Sequence, residues 1–429
     1  MKNNKLVFLK SLLKELTTPA YGCTEIGIVA YACAAAAKNL KSAITKADIY
    51  VSPFIYRNDA NVGVPHMGKI GIEAIAAAGF VVKNPRNKLS VLSKISKTQC
   101  EQAKAMGNKK IIKVHVELHC DPVFVKVIAV DKNNNTCEVL IEGQHDVIRR
   151  IKFNNTILEQ NQSMGKQQAG KYKFNVNEIS LADIYHCVHT IKLNELKFLE
   201  KGVEMNHKVK QHGMDNKDHF TEATHKTVST TWEDKVILLT TAAISSRMLG
   251  CPLPVMASSD SGDHGLTVNL PQHIYHTSEN TSELLMYQAI AFANLITWKI
   301  KKNIGSLSAY CGSVVAAATA TVCGIAWQKE FNLKQINDLI NFCICAFAGV
   351  LCDGAKLSCS WKVQSALLTG FQALRLVEKN SCLPDNEGIV NKDAFESIKH
   401  LGNLSKAIKD QTNNELVSII EANIENQKR

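Results

Sequence analysis

Cys311, Cys352 and Cys359 are the residues whose type and spacing point most directly to chemistry. Each stands close to a small residue, Gly312, Gly354 or Ser358, so that the backbone and a bulky inorganic group can approach closely. A structural zinc site wants four ligands, usually in two close pairs, and the wide Cys352 to Cys359 interval fits that poorly. An iron-sulfur cluster tolerates irregular spacing, because each thiolate holds a different iron. Three ligands leave the fourth iron open, a Lewis acid for a carboxylate, hydroxyl or thiolate. Spacing alone equally allows three buried packing cysteines, the ordinary state of a free thiol.

Other stretches add candidate groups. Cys23 stands just ahead of the run from Glu25 to Asn39, which is rich in alanine and apolar on all sides, as in a fully buried helix. The positive end of such a helix favours a thiolate. The phrase SSDSGDHGLTVN brings Ser259, Ser261, Gly262, His264 and Gly265 into one short span. Its hydroxyls, imidazole and backbone N–H groups suit an amino-acid carboxylate, or equally the capped start of a helix. Between Asn61 and Gly71, Gly63, Pro65 and Gly68 mark a turn-rich loop. His207, His212, His219 and His225 match no ligand spacing and are expected on an exposed helix and loop. Cys33, Cys323, Cys343 and Cys345 lie in apolar helical surroundings and are expected to pack.

The elements that must position these groups are mostly helices. Only residues 111 to 153 show period two: Ile112, Val114, Val116 and Leu118 alternate with polar residues, and further strands follow at 123–130, 136–142 and 147–153. His115 and His119 fall on the polar face and are expected to be solvated. The polar run 154–177 is expected to be a surface connection. Ser180 and Asp183 predict a capped helix. Val236 to Leu249, Val314 to Trp327 and most of 282–378 are helical in pattern, and the tail from Leu383 reads as two amphipathic helices. The expected fold is mainly α with an inserted small α/β subdomain carrying an antiparallel sheet. Residues 1–85 and 231–429 would form the helical domain and 86–230 the insertion.

With 429 residues, 45% of them hydrophobic, the chain can bury a large core. No apolar run approaches the ~20 residues that span a bilayer, so no membrane association is expected. The N-terminus lacks an export signal, which predicts a cytoplasmic location and reduced thiols for the fourteen cysteines. The charge of +11 comes from scattered lysines without aromatic interleaving, which argues against nucleic acid as a partner.

SAYCGSVVAAA and LCDGAKLSCSWKV resemble the two cysteine motifs of the L-cysteine desulfidase family, which belongs with the alpha domain of iron-sulfur L-serine dehydratases. PAYGCTEIGIVAYACAAA, NVGVPHMGKIG, SSRMLG and SSDSGDHGLTVNLP extend the likeness over most of the chain. The resemblance implies a helical cluster domain with a small α/β segment beside it. It also implies a 4Fe-4S cluster on Cys311, Cys352 and Cys359, and PLP-independent β-elimination of L-cysteine to pyruvate, ammonia and hydrogen sulfide. Cys23, in the GCTE phrase, and Lys356 are then catalytic candidates; Ser259, Ser261, Gly262, His264 and Asn61 are substrate-binding candidates. The expected partner is a small amino acid, with a homodimer as the assembly to test. His66, Met67, Asp263, Leu357, Ser358 and Trp361 depart from the family pattern in the loops assigned to substrate. L-Serine dehydration is the alternative of the same chemistry, and a non-enzymatic iron-sulfur or thiol sensor the alternative of another class.

Overall fold

A computed structural model describes residues 2–20, 24–68, 70–161, 174–305 and 307–428. The period-two run builds strands Ile112–Val116, Phe124–Asp131, Thr136–Glu142 and Ile148–Phe153, and alternate residues of Phe124–Asp131 and Thr136–Glu142 are buried. Apolar residues on one face need a cover, which helices Thr24–Asn39 and Ile72–Val82 supply. Together they enclose one core running from Ile26 to Ile151.

Strand Ile44–Val51 lies inside this sheet, parallel to Ile112–Val116 on one side and antiparallel to Phe124–Asp131 on the other. The sheet is therefore mixed rather than antiparallel, and its parallel pair needs the long helical crossover between residues 51 and 112. Leu9, Leu12, Leu13 and Leu16 near the N-terminus pack into the helical body, whereas Ile28, Val29, Ile49 and Ile75 are buried in the core of the sheet unit. Residues 179–209 pack instead with the helices, through Ile184, Val188, Val203 and Val209. Thr156–Gln160, expected as plain connection, forms an exposed edge strand.

The second core belongs to the helical body, and its middle layer is Trp232–Met248, Gly262–Glu279 and Glu283–Ile304. Local chemistry starts several of its helices, and one of them was placed by the sequence. Ser180 and Asp183 form a reciprocal capping box ahead of Leu181–Thr190, and Asn332 with Gln335 does the same for Leu333–Phe347. The small-residue run begins as a π turn, Ser313–Ala318, and continues as helix Thr319–Gln328, buried throughout that second part. The tail is one helix, Ala394–Lys428, rather than two.

The histidine-rich region also differs from expectation. Glu200–Asp215 is a packed helix: Gly213 lies so close to Trp232–Met248 that a Cβ there would meet the Ala242 carbonyl oxygen at 2.2 Å. Of the cysteines expected to pack, Cys33, Cys323 and Cys343 are buried but Cys345 is exposed. Among the described residues no helix is long and apolar enough to cross a membrane.

Candidate active site

Two cysteine segments meet through the backbone. The Cys311 N–H donates to the Val350 carbonyl at 2.9 Å and the Cys352 N–H to the Ala309 carbonyl at 2.8 Å, on either side of an antiparallel bridge between Tyr310 and Leu351. Cys359 opens helix Cys359–Glu378, and its thiol donates to the Gly354 carbonyl at 3.4 Å. Cys311 opens the other helical run: its carbonyl accepts from Val315 N–H at 2.8 Å, and the N–H groups of Val314 and Ser313 favour its thiolate. Two of the three thiols thus sit at the positive ends of helical segments.

Burial opposes ionisation. It pushes the Cys311 thiol up to about 11, with the neighbouring Cys352 adding to the rise, and the Cys359 thiol up to about 12, with Asp263 and Cys311 adding there. Cys311 feels the charge of Cys352, and Cys359 that of Cys311, so Cys311 links the three thiols electrostatically. Cys311 and Cys359 are neutral at pH 7 in the metal-free chain, and a coordinated metal would displace their protons.

Charged side chains flank this corner. Asp353 accepts from Lys356 at 2.5 Å and also from Lys362, whose Nζ reaches the Leu351 carbonyl at 2.8 Å. Burial works against the Asp353 carboxylate, yet the two ammonium groups hold its pKa below the ordinary value. Lys362 also acts electrostatically on Cys311 and Cys352, so it brings positive charge to two thiols at once.

The hydroxyl-rich loop forms another wall. Helix Gly262–Glu279 begins there, and Asp263 pairs with Arg247 at 2.7 Å in a nearly dry setting. His264 Nε2 lies 2.6 Å from where a Cβ on Gly312 would stand, directly beside the Cys311 segment. Burial first, then the charge of Lys301, keeps this imidazole neutral. Its Nδ1 and the hydroxyls of Ser258 and Ser259 are buried without a hydrogen bond of normal geometry among the described residues. Ser259 has a left-handed backbone (φ +48°), and Ser261 precedes the helix without capping it through its side chain. Asn206 fastens the loop from behind, accepting from Met256 N–H at 2.8 Å and donating to the Gly265 carbonyl at 3.1 Å.

Of the residues singled out from the sequence, the structure brings together Cys311, Cys352, Cys359 and Lys356, with His264 against the same segment. Ser259, Ser261 and Gly262 line the loop that leads to His264. Asn61 is half-buried in a loop pinned to the helical body where Gly63 N–H donates to the Met248 carbonyl at 2.8 Å. Cys23 lies outside the described residues. Sequence reasoning assigned no role to Lys362, Lys301 or Arg247. Lys362 had a readable signal, one helical turn after Cys359; Arg247 stood in SSRMLG without a partner to explain it.

Among the described residues no three His, Cys, Asp or Glu side chains close around a point as they would on a single ion. A cubic cluster makes a different demand, attaching each thiol to a separate corner. Three thiols from two segments, two of them at helix starts, with ammonium groups nearby to offset an anionic cluster, fit that group.

Helical body, α/β unit and thiol corner together define a serine dehydratase-like protein. The chain belongs to the serine dehydratase alpha chain family, which matches residues 86–418 and so includes all three cysteines. A UPF0597 protein of Clostridium perfringens (strain ATCC 13124) is 31% identical over 407 residues, covering 93% of this chain and 94% of the relative. UPF0597 proteins of Clostridioides difficile (strain 630) and Alkaliphilus oremlandii are each 31% identical over 406 residues, covering 92% of this chain and 94% and 93% of their own length.

Proposed function

We propose that this protein is an iron-sulfur, PLP-independent L-cysteine desulfidase, converting L-cysteine and water to pyruvate, ammonia and hydrogen sulfide. The observation that carries the reading is the meeting of Cys311, Cys352 and Cys359 beside a loop whose Ser258 and Ser259 hydroxyls are buried without a hydrogen-bond partner among the described residues. The three cysteines would hold a 4Fe-4S cluster, which when bound supplies a Lewis acid for the departing β-sulfur.

The chain's own groups do the rest. The Ser259 hydroxyl and the N–H groups opening helix Gly262–Glu279 bind the substrate carboxylate. His264, held neutral and wedged against Gly312, orients the amino acid as hydrogen-bond partner. Lys356 and Lys362 fix Asp353 at the edge of the site and supply positive charge there. Cys23, in GCTE, is the candidate for a displaceable cluster ligand, for the base that takes the α-proton, or for a transient sulfur acceptor. Loss of that proton and of the β-sulfur leaves aminoacrylate, which tautomerises to the imine; water then releases pyruvate and ammonia. A thiolate is a better leaving group than hydroxide, which favours cysteine over serine.

L-Serine dehydration is the second reading, favoured by membership of the serine dehydratase alpha chain family. Anaerobically reconstituted protein should carry about four irons per chain and form pyruvate, ammonia and sulfide from L-cysteine with the higher kcat/KM. A higher value for L-serine would transfer the assignment to the dehydratase. Turnover of neither amino acid would leave a sensor.

A further inference from the structure

Arg57 lies in the α/β unit, on helix Pro53–Asp59, ahead of the residues matched by the serine dehydratase alpha chain family. It is among the largest fully buried side chains, 2% exposed. A guanidinium taken out of water is costly unless its donors are used. Here they reach into the other core: Nη1 donates to Asn413 Oδ1 on the C-terminal helix, and Nη2 to the Ser308 carbonyl at 3.4 Å. Ser308 adjoins Ala309, the acceptor for the Cys352 N–H.

The backbone of Arg57 touches the second cysteine loop. Its carbonyl oxygen lies 2.0 Å from where a Cβ on Gly354 would be, and Gly354 has φ +95°, so only glycine allows the approach. The Gly354 carbonyl in turn accepts from the Cys359 thiol and, at 3.2 Å, from Lys356. One residue of the α/β unit therefore braces the segment leading to Cys311 and the loop joining Cys352 to Cys359.

We propose that Arg57 is a positioning residue for the thiol corner: the α/β unit sets the spacing of the three cysteines through its guanidinium and carbonyl. The role rests on the cluster reading for its purpose, but its geometric effect is testable without a cluster. Arg57→Met keeps an apolar stem and removes the donors; Gly354→Ala attacks the same contact from the other side.

The experiment is cysteine-resolved alkylation of full-length, metal-free protein, read by mass spectrometry, together with iron content after anaerobic reconstitution. In both variants, labelling of Cys311, Cys352 and Cys359 should accelerate about tenfold, while the core thiols Cys323 and Cys343 stay at the wild-type rate. Iron per chain should fall, and the visible spectrum of what remains should change. Unchanged labelling of the three thiols would overturn the proposal, as would an equal rise at Cys323 and Cys343, which would mean general loosening. Wild-type protein that takes up no iron would sink the cluster reading alone, leaving the labelling result to decide the brace.

Discussion

The Nε2 of His264 stands 2.6 Å from the point that a Cβ on Gly312 would occupy, so the loop that offers hydroxyls and the segment that offers Cys311 touch at one atom. Gly312 is helical (φ −62°), so its requirement for glycine is steric and not conformational. Gly312→Ala should push the imidazole and the Cys311 segment apart by part of an ångström. A misplacement of about 1 Å costs about a hundredfold in rate, so this smaller one should cost about tenfold, while the melting temperature should shift little. Steady-state kinetics and thermal melts separate the two effects, and His264→Ala in the same background should relieve the steric clash without restoring turnover.

Removing any one of the three thiols should act on metal content before stability. Cys311→Ala, Cys352→Ala and Cys359→Ala are each expected to lose most of the about four irons per chain that one cubic cluster requires. Cys323→Ala, in the helical core, should keep its iron and lose about 1 kcal/mol of stability. Iron analysis against denaturant melts distinguishes ligand from packing cysteine.

Asp353 is held by Lys356 and Lys362, and Asp353→Asn would leave two ammonium groups facing the thiols without a counter-charge. With all three side chains partly exposed, solvent screening limits the expected loss to about 1–2 kcal/mol. The sign with pH follows from the depressed carboxyl: this stabilisation is present above its ordinary pKa near 3.8 and is lost as pH falls through the lower folded value. The variant's melting temperature should therefore trail wild type at pH 7 and converge with it in strong acid.

His207 gives a pH dependence of the same sign in a higher pH window. Burial first, then the charges of His273 and Lys210, lower its pKa from 6.5 to about 4, and its ring packs edge-on against His273 at 4.3 Å. The unfolded chain binds a proton there that the folded chain refuses, so stability is full above pH 6.5 and declines as pH falls towards 4, by about 3 kcal/mol at most. His207→Gln should flatten this part of the melting profile. His273, His189 and His264, lowered by burial as well, add slope of the same sign.

Elements whose cause is local were legible from the residues themselves. Ser180 and Asp183 announce a capping box, and the box is there; Ile112, Val114 and Val116 alternate with polar neighbours and form a strand. The cysteine-bearing phrases were legible too, because small neighbours and helix starts are properties of a few adjacent residues. What depends on distant partners was not. Ile44–Val51 becomes an inner strand only because Ile112–Val116 and Phe124–Asp131 arrive on both sides, and nothing within those eight residues encodes the arrival. The tail from Leu383 reads as two amphipathic helices, yet Ala394–Lys428 is one helix, in which Asn413 is buried where the Arg57 guanidinium satisfies its side-chain oxygen. By itself the sequence determined the helical character, the strand periodicity and the residue types available for chemistry. Tertiary structure alone decided which of them share a corner, because a buried charge or thiol is defined by the groups that replace its water, and those come from elsewhere in the chain.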